Sequence, residues 1–330
     1  MSTKTILVRQ YRGVFGPLAV VVLFVVGVCY SPFEPHRAPA DPSGAPSGSP
    51  TWLDEDWATV ERTISQASSA GLDALPMGEL MAQLGAGLVG TAYVPQTLEV
   101  DGPERVVVNL RGLDCVTLVE NVYALSVLLK TGAASRLGNR GSVEGEYERA
   151  LRALRYRGNV IDGYPSRLHY FSDWIADAER KQLVRDVTPE LGGEVDAEPI
   201  DFMSTHAGAY VQLSDAETLD AIRQVEGRLS TQERRFIPEG RIAEVSDQIQ
   251  NGDIIAATST VEGLDVAHTG LALWVDGELH LLHAPLVGEA VQISEVTLAA
   301  RIQRISGQDG IMVARPSEPR VIESSSARGG

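Results

Sequence analysis

One cysteine stands where a thiol could act as a nucleophile. The chain has two cysteines; Cys29 lies in an apolar N-terminal segment, which leaves Cys115 as the thiol of the globular part. Cys115 follows Asp114, a good N-cap residue, and opens a largely apolar stretch to Lys130 that predicts a buried helix. The helix N-terminus favours a thiolate there, and the N–H groups of the first turn can bind an oxyanion. The charge of Asp114 opposes the thiolate, and a buried, inert cysteine fits the same pattern.

Two histidines are predicted to lie side by side on a late β-hairpin. The dipeptide Asp276-Gly277 is a strong signal for a two-residue turn. Counting back from this turn places Gly270 opposite His283 and makes His268 a diagonal neighbour of His283 on one face. We expect open space beside both rings at Gly270, and His280 on the opposite face. A base oriented by a second polar group is what activation of a thiol requires.

Two other interpretations of the histidine pair remain open. Both side chains could be incidental residues of a half-buried strand. Asp265, His268 and His283 could also bind zinc, because histidine and aspartate are common zinc ligands. The sequence has no His-x-x-x-His motif or cysteine pair to support a metal site, so we expect neither metal nor cofactor.

The elements that would position these residues follow an α+β order. Helices are expected first and antiparallel strands late in the chain, so the Cys115 helix would pack centrally on an antiparallel sheet. The predicted helices are 54–70, 76–88, 115–130 and 144–156. The predicted strands are 105–110, 253–259, 268–275, 278–284 and one that ends near 314.

Several segments resemble the NlpC-type cell-wall cysteine hydrolases, which have a papain-like fold. The resemblance is carried by GTAYV (Gly90–Val94), by LDCVTLVE around Cys115 and by HTGLALWVDGELHLLHAP from His268. YPSRLHYFSDWI (164–175), DFMSTH (201–206) and NGDIIAATSTVEGLDVAH (251–268) resemble the N-acetylmuramoyl-L-alanine amidase-like branch. This resemblance extends from about Asp73 to Arg315.

The resemblance implies a catalytic triad. Cys115 would be the nucleophile, His268 the base and His283 the residue that orients it. Tyr93 would lie beside the thiol and bind substrate. No cofactor takes part in this chemistry.

Further residues of the insertion between helix and hairpin would line the substrate cleft. Arg167 could bind a peptide carboxylate through a bidentate contact. His169 and Ser204 could line the pocket. Ordinary packing or surface positions are the alternative for each of these residues.

The implied activity is hydrolysis of the amide bond between N-acetylmuramic acid and L-alanine, in peptidoglycan or in anhydro-muropeptides, through a thioester. A stem-peptide endopeptidase of the same fold is one alternative. A catalytically inactive wall-binding module and a lipid-handling acyltransferase are two others.

The N-terminus predicts export. Positive residues precede an apolar run, Val14–Cys29, and a Pro-, Ser- and Gly-rich stretch follows it. Residues 1–30 are therefore predicted to be a signal or membrane anchor and 31–50 a flexible linker. Lipidation of Cys29 is the lesser alternative, because Val28 stands where a lipobox has a small residue. The protein is expected in the periplasm or cell envelope, touching the membrane through this segment only.

The remaining residues are assigned to one domain. Residues 51–316 are predicted to form the papain-like domain, with a largely helical insertion at about 135–250, and 317–330 a disordered tail. The formal net charge of −16 repels phosphate backbones and argues against nucleic-acid binding. We expect a monomer whose partner is peptidoglycan or a muropeptide.

Overall fold

The computed structural model describes residues 52–319. The predicted targeting segment with Cys29, the linker, and residues 320–330 of the predicted tail 317–330 lie outside this range. At the start of that tail, the N–H of Ser317 donates to the carbonyl of Leu183 at 2.9 Å, and Glu318 accepts from the N–H of Met77 at 2.6 Å. The helices are α1 (Asp54–Ser69), α2 (Met77–Ala86), α3 (Cys115–Lys130), α4 (Arg140–Arg155), α5 (Phe171–Arg180), α6 (Phe202–Thr205), α7 (Ala216–Leu229), α8 (Ile242–Val245) and α9 (Leu298–Arg304). The strands are β1 (Ala92–Tyr93), β2 (Gly112–Leu113), β3 (Val184–Asp186), β4 (Glu194–Asp196), β5 (Arg234–Pro238), β6 (Ile254–Ser259), β7 (Val266–Val275), β8 (Glu278–His283), β9 (Gln292–Ile293) and β10 (Gln308–Pro316).

An eight-stranded sheet forms the centre of the fold. Its order is β4-β5-β10-β6-β7-β8-β9, and β3 also pairs with β10. Neighbouring strands run antiparallel. The β7–β8 hairpin has the predicted register, with Val275 opposite Glu278. Asp276 and Gly277 both have positive φ, 51° and 84°, which is the backbone of a type I′ turn.

Both faces of the sheet are buried. Ile254 and Ala256 of β6 pack into the larger core, which also receives the apolar faces of α1 to α5. Ile255 and Ala257 point the other way, into a core shared with α8 and α9. This alternation follows from the two-residue period of a strand. The predicted α+β fold, with the Cys115 helix packed centrally against an antiparallel sheet, is confirmed.

The range predicted as a largely helical insertion is partly sheet. It contains β3, β4 and β5, and two of these strands pair with β10 near the C-terminus. These strands are three to five residues long. They are too short to show a clear alternating pattern, and their hydrogen-bond partner lies far away in sequence.

Within residues 52–319, no helix is long and apolar enough to cross a bilayer.

The segment Arg105–Leu110 was predicted as a strand and is irregular. Its three valines are buried, as the prediction required. Side chains, not a neighbouring strand, bind its backbone: Nη1 of Arg155 donates to the carbonyl of Val107 at 2.8 Å, and Asp56 accepts from the N–H of Leu110 at 2.8 Å. A buried extended segment can therefore satisfy its backbone without joining a sheet.

Candidate active site

Cys115 is the first residue of α3 and is fully buried. Asp114 caps the helix: its carboxylate accepts from the N–H of Thr117 at 2.8 Å, and the Thr117 hydroxyl accepts from the N–H of Asp114 at 2.9 Å. This reciprocal capping box fixes where the helix begins, and with it the thiol. Burial raises the pKa of the Asp114 carboxyl above its ordinary value, against the opposing hydrogen bonds from Thr117.

A hydrogen bond connects the start of α3 to the histidine strand. The hydroxyl of Thr269 donates to the carbonyl of Cys115 at 2.8 Å. Thr269 follows His268 on β7, so this contact sets the backbone of the cysteine against that of the histidine. This contact could not be predicted from the sequence, because a threonine in a strand is ordinary.

The two predicted histidines meet. Nε2 of His268 lies 2.7 Å from Nδ1 of His283, and the rings are nearly perpendicular at 86°. Both side chains are buried. His280 pairs with Leu273 on the opposite face, where its Nδ1 lies 2.8 Å from the carbonyl of Ser294.

The expectation of open space at Gly270 is wrong. A Cβ at this position would lie 2.6 Å from the carbonyl oxygen of Leu282 and 3.0 Å from the Cβ of His283. Glycine permits a close approach of the two strands rather than a cavity.

Just before His268, β7 carries an extra residue, Ala267, where the register with β6 shifts. Such a bulge re-aims the side chains beside it, and bulges are frequent near active sites.

Both histidines are held neutral. Burial is the main reason that the pKa of His268 lies well below its ordinary 6.5, and the charge of Arg301 and the neighbouring His283 lower it further. Burial and Arg301 lower the pKa of His283 to about 3. Since Nε2 of His268 faces His283, its other ring nitrogen is the one available for chemistry. Among residues 52–319, Nδ1 of His268 has no hydrogen-bond partner.

Cys115 and His268 line the same pocket, which has a volume of about 170 Å³. Arg167 and His169 also line it. His283 lies behind His268. The structure thus brings together five of the seven predicted site residues.

Two predicted residues lie apart from the pocket lining. Tyr93 belongs to β1 and pairs with Leu113, two residues before the cysteine, so it lies near the site without lining the pocket. Ser204 is in the short helix α6, where its N–H donates to Glu226 at 2.9 Å and its hydroxyl donates to the carbonyl of Asp201 at 3.3 Å.

Arg167 is buried in the pocket wall. Its Nη2 donates to Glu99 at 2.7 Å and its Nη1 to the carbonyl of Leu98 at 3.1 Å; the guanidinium also lies 4.9 Å from the centre of the Tyr164 ring. Burial would lower the pKa of Arg167, but the carboxylates of Glu99 and Glu104 outweigh it and raise this pKa.

His169 packs against the same tyrosine. Its ring centre lies 4.3 Å from that of Tyr164, and its Nε2 lies 2.9 Å from the Tyr164 carbonyl. Burial, followed by the charge of Arg167, lowers the pKa of His169 well below its usual value. It is therefore a neutral side chain of the wall.

A buried ion pair at the pocket was not predicted from the sequence. Glu120, one turn into α3 from the cysteine, accepts from Nε and Nη2 of Arg155 at 2.9 and 2.7 Å. Both residues line the pocket and are almost inaccessible to solvent. Burial raises the pKa of Glu120 against the opposing charge of Arg155. A glutamate in an otherwise apolar helix was the available signal, because such a residue needs a partner.

Asp265, a zinc ligand in one interpretation, binds backbone instead. Its two oxygens accept from the N–H groups of Ser172 and Val266, both at 2.7 Å. Burial raises its pKa above the ordinary value. Among the described residues, no group of three or more His, Cys, Asp or Glu side chains is arranged to hold a metal ion.

These features define an α+β protein with a cysteine and a histidine pair at one pocket. Residues 83–311 match the sequence model of the N-acetylmuramoyl-L-alanine amidase-like family. The chain belongs to this family, which confirms the resemblance to the N-acetylmuramoyl-L-alanine amidase-like branch.

Solved structures agree with the assignment. An N-acetylmuramoyl-L-alanine amidase from Bacteroides uniformis is 35% identical, and the match covers 73% of this chain and 99% of that one with a TM-score of 0.68. A candidate xylanase from Bacteroides fragilis is 36% identical, with 70% and 98% covered and a TM-score of 0.65. A Legionella pneumophila protein at 18% identity, with 80% and 95% covered and a TM-score of 0.57, shares the fold. No curated protein matches the chain.

Proposed function

We propose that this protein is an exported cysteine amidase that hydrolyses the bond between N-acetylmuramic acid and L-alanine in peptidoglycan or in muropeptides. One observation carries the proposal: Cys115 at the head of α3 and His268 line one pocket, with His283 placed behind His268. Membership of the amidase-like family and the name of the Bacteroides uniformis relative support cleavage of this amide bond. The order of central helix and late hairpin supports a papain-like fold of the NlpC type.

The histidine pair fixes the direction of proton transfer in this mechanism. His268 begins neutral, with Nδ1 unprotonated and its Nε2–H donating to Nδ1 of His283. Nδ1 of His268 takes the proton of Cys115 as the sulfur attacks the amide carbonyl. His283 then orients and stabilises the His268 imidazolium. The N–H groups at the start of α3 bind the developing oxyanion.

The second half of the reaction reverses the transfer. The protonated Nδ1 of His268 gives its proton to the leaving L-alanine nitrogen, and a thioester remains on Cys115. His268, again neutral, then takes a proton from water, which attacks the thioester and releases the muramoyl carboxylate. In this step the C–S bond breaks and the Cys115 sulfur recovers the proton from Nδ1 of His268, so each cycle consumes one amide and one water.

The carboxylates of the pocket do not favour a glycosidase, the activity named for the Bacteroides fragilis relative. Glycoside hydrolysis uses two carboxyl groups that flank the scissile bond. Here Asp114 caps a helix, Glu120 binds Arg155, and Asp265 binds two backbone N–H groups. These contacts leave the thiol and imidazole as the reactive groups of the pocket.

Mass spectrometry of purified muropeptides tests the proposal. Digestion should release a stem peptide with a free N-terminal L-alanine, and Cys115→Ala should abolish it. His280→Ala is the matched control for His268→Ala, because it removes a histidine of the same hairpin from the opposite face. Cleavage within the stem peptide would replace the amidase by an endopeptidase. Unchanged turnover in Cys115→Ala would overturn the cysteine mechanism.

Export completes the proposal. The predicted N-terminal segment would place the pocket in the periplasm or cell envelope, beside peptidoglycan. Fractionation of cells that express the full chain, compared with a chain lacking residues 1–30, tests the location. Recovery of the full chain in the cytosol would contradict it.

A further inference from the structure

Glu99 joins two walls of the pocket through one carboxylate. Its Oε1 accepts from Nη2 of Arg167 at 2.7 Å, and its Oε2 accepts from Nε2 of Gln212 at 2.6 Å. Glu99 belongs to the irregular segment after β1, and Gln212 to the segment before α7. All three residues line the pocket.

The two carboxylates beside Arg167 differ in how far a substrate can reach them, because Glu99 is the more exposed. Glu104 has a side chain only 12% exposed, accepts from the hydroxyl of Tyr156 at 2.7 Å, and lies 3.6 Å from Nε of Arg167. Glu99 is 33% exposed and is bound by two side-chain hydrogen bonds. Glu99 is therefore the carboxylate that can leave.

We propose that Glu99 is an internal carboxylate that occupies Arg167 until a carboxylate of the substrate displaces it. The inference rests on the proposed function, which supplies acidic stem peptides as substrates. Glu99 occupies Nη2 of Arg167, so a substrate carboxylate that takes this contact must displace Glu99. Exchange of one Arg–carboxylate contact for another conserves the pairing of the buried charge, which is what such a group requires.

The exchange also affects the shape of the cleft. Leu98 and Gln212 line both the main pocket and a second one of about 120 Å³. When Glu99 leaves, it releases Gln212, and the partition between the two spaces loosens. An acidic substrate thereby opens room for its own extension, and an amidated one does not.

Binding to Cys115→Ala tests the exchange without turnover. The probes are N-acetylmuramoyl-L-alanyl-D-glutamate and its diamide, titrated by calorimetry. We expect the acid to bind more tightly than the diamide. Glu99→Gln should tighten binding of the acid about threefold to fivefold, the scale of a partly exposed charge pair, and leave the diamide unchanged. Gln212→Ala, which removes the other contact of Glu99, should act in the same direction.

The matched control is Glu233→Gln, which removes an exposed glutamate paired with Arg235 at 2.7 Å. It tests whether removing any one negative charge from this acidic chain is enough to tighten binding of the acid probe. Equal affinity for the two probes, or equal effects of Glu99→Gln and Glu233→Gln, overturns the exchange. If wild type cleaves the acid probe but this pattern is absent, only the exchange fails. If the pattern is present and wild type releases no L-alanyl-D-glutamate from the acid probe, only the amidase proposal fails. Absence of both overturns both.

Discussion

The histidine pair makes the stability of the fold depend on pH in a way that a single substitution should reveal. His283 is 3% exposed, and its pKa falls from 6.5 to about 3 on folding. Below pH 6.5, His283 therefore binds a proton in the unfolded chain but stays neutral in the folded protein. The contribution of this site to stability is fully present above 6.5 and is lost as the pH falls towards 3. His283→Asn keeps a polar side chain and removes the titration.

The size of the effect follows from the two pKa values. Between pH ~7.5 and ~5.5 the unfolded histidine goes from about one-tenth to about nine-tenths protonated, while the folded one stays neutral. The free energy of unfolding of the wild type should therefore fall by about 1.4 kcal/mol more than that of His283→Asn. Across the whole window the difference should approach about 5 kcal/mol.

Urea unfolding of both proteins at the two pH values measures this difference. Asp114, Glu120 and Asp265, whose pKa values are raised, act in the opposite sense, but they are common to both proteins and cancel in the comparison. His280→Asn is the matched control for loss of a histidine from this hairpin. Parallel pH dependences of the wild type and His283→Asn would refute the reasoning, because they would mean that His283 gains its proton as readily folded as unfolded.

Three further predictions concern the site. The acid limb of kcat/KM should have its midpoint below pH 6.5, because the pKa of His268 is lowered and the base stays neutral there; a midpoint at or above 6.5 would contradict this. Thr269→Val removes the hydrogen bond to the Cys115 carbonyl and should lower kcat roughly tenfold by misplacing the thiol; Thr258→Val, on neighbouring β6, is its control, and equal kcat values would contradict the positioning role. Glu120→Leu leaves Arg155 unpaired and should cost about 3–5 kcal/mol in urea unfolding. Asp220→Ala at the exposed pair with Arg223 should lower the free energy of unfolding by under about 1 kcal/mol. Similar losses in the two variants would contradict a larger structural role for the buried pair.

Local signals explain what the sequence predicted well. The start of α3 at Cys115 follows from an N-cap aspartate before an apolar stretch, and both act within one turn of helix. The hairpin register follows from Asp276-Gly277, since one turn type determines every pair along both strands. The contact of His268 with His283 is a direct consequence of that register.

Long-range contacts explain what was missed. The buried pair of Glu120 and Arg155 joins α3 to the end of α4; the buried glutamate indicates that a partner is needed, but no local pattern identifies Arg155 as that partner. The irregular backbone of Arg105–Leu110 is stabilised by side chains from two other segments, α1 and the end of α4, so its run of valines alone could not distinguish it from a strand. The close strand approach at Gly270 was misread as space, because a glycine in a strand is compatible with either.

The electrostatics of the pocket bear on the order of events in the proposed reaction. An imidazolium at His268 before substrate binds would lie buried, close to the charge of Arg301, and these are the two main influences that lower its pKa. In the proposed reaction His268 is therefore neutral before the substrate reacts. Attack on the carbonyl changes the balance, because negative charge develops on the oxyanion while Nδ1 of His268 gains the proton of Cys115. The imidazolium then has a counter-charge within the same pocket and His283 as an acceptor at 2.7 Å. The site thus favours the charged histidine only once the substrate is reacting, which is the selective stabilisation of a transition state that catalysis requires.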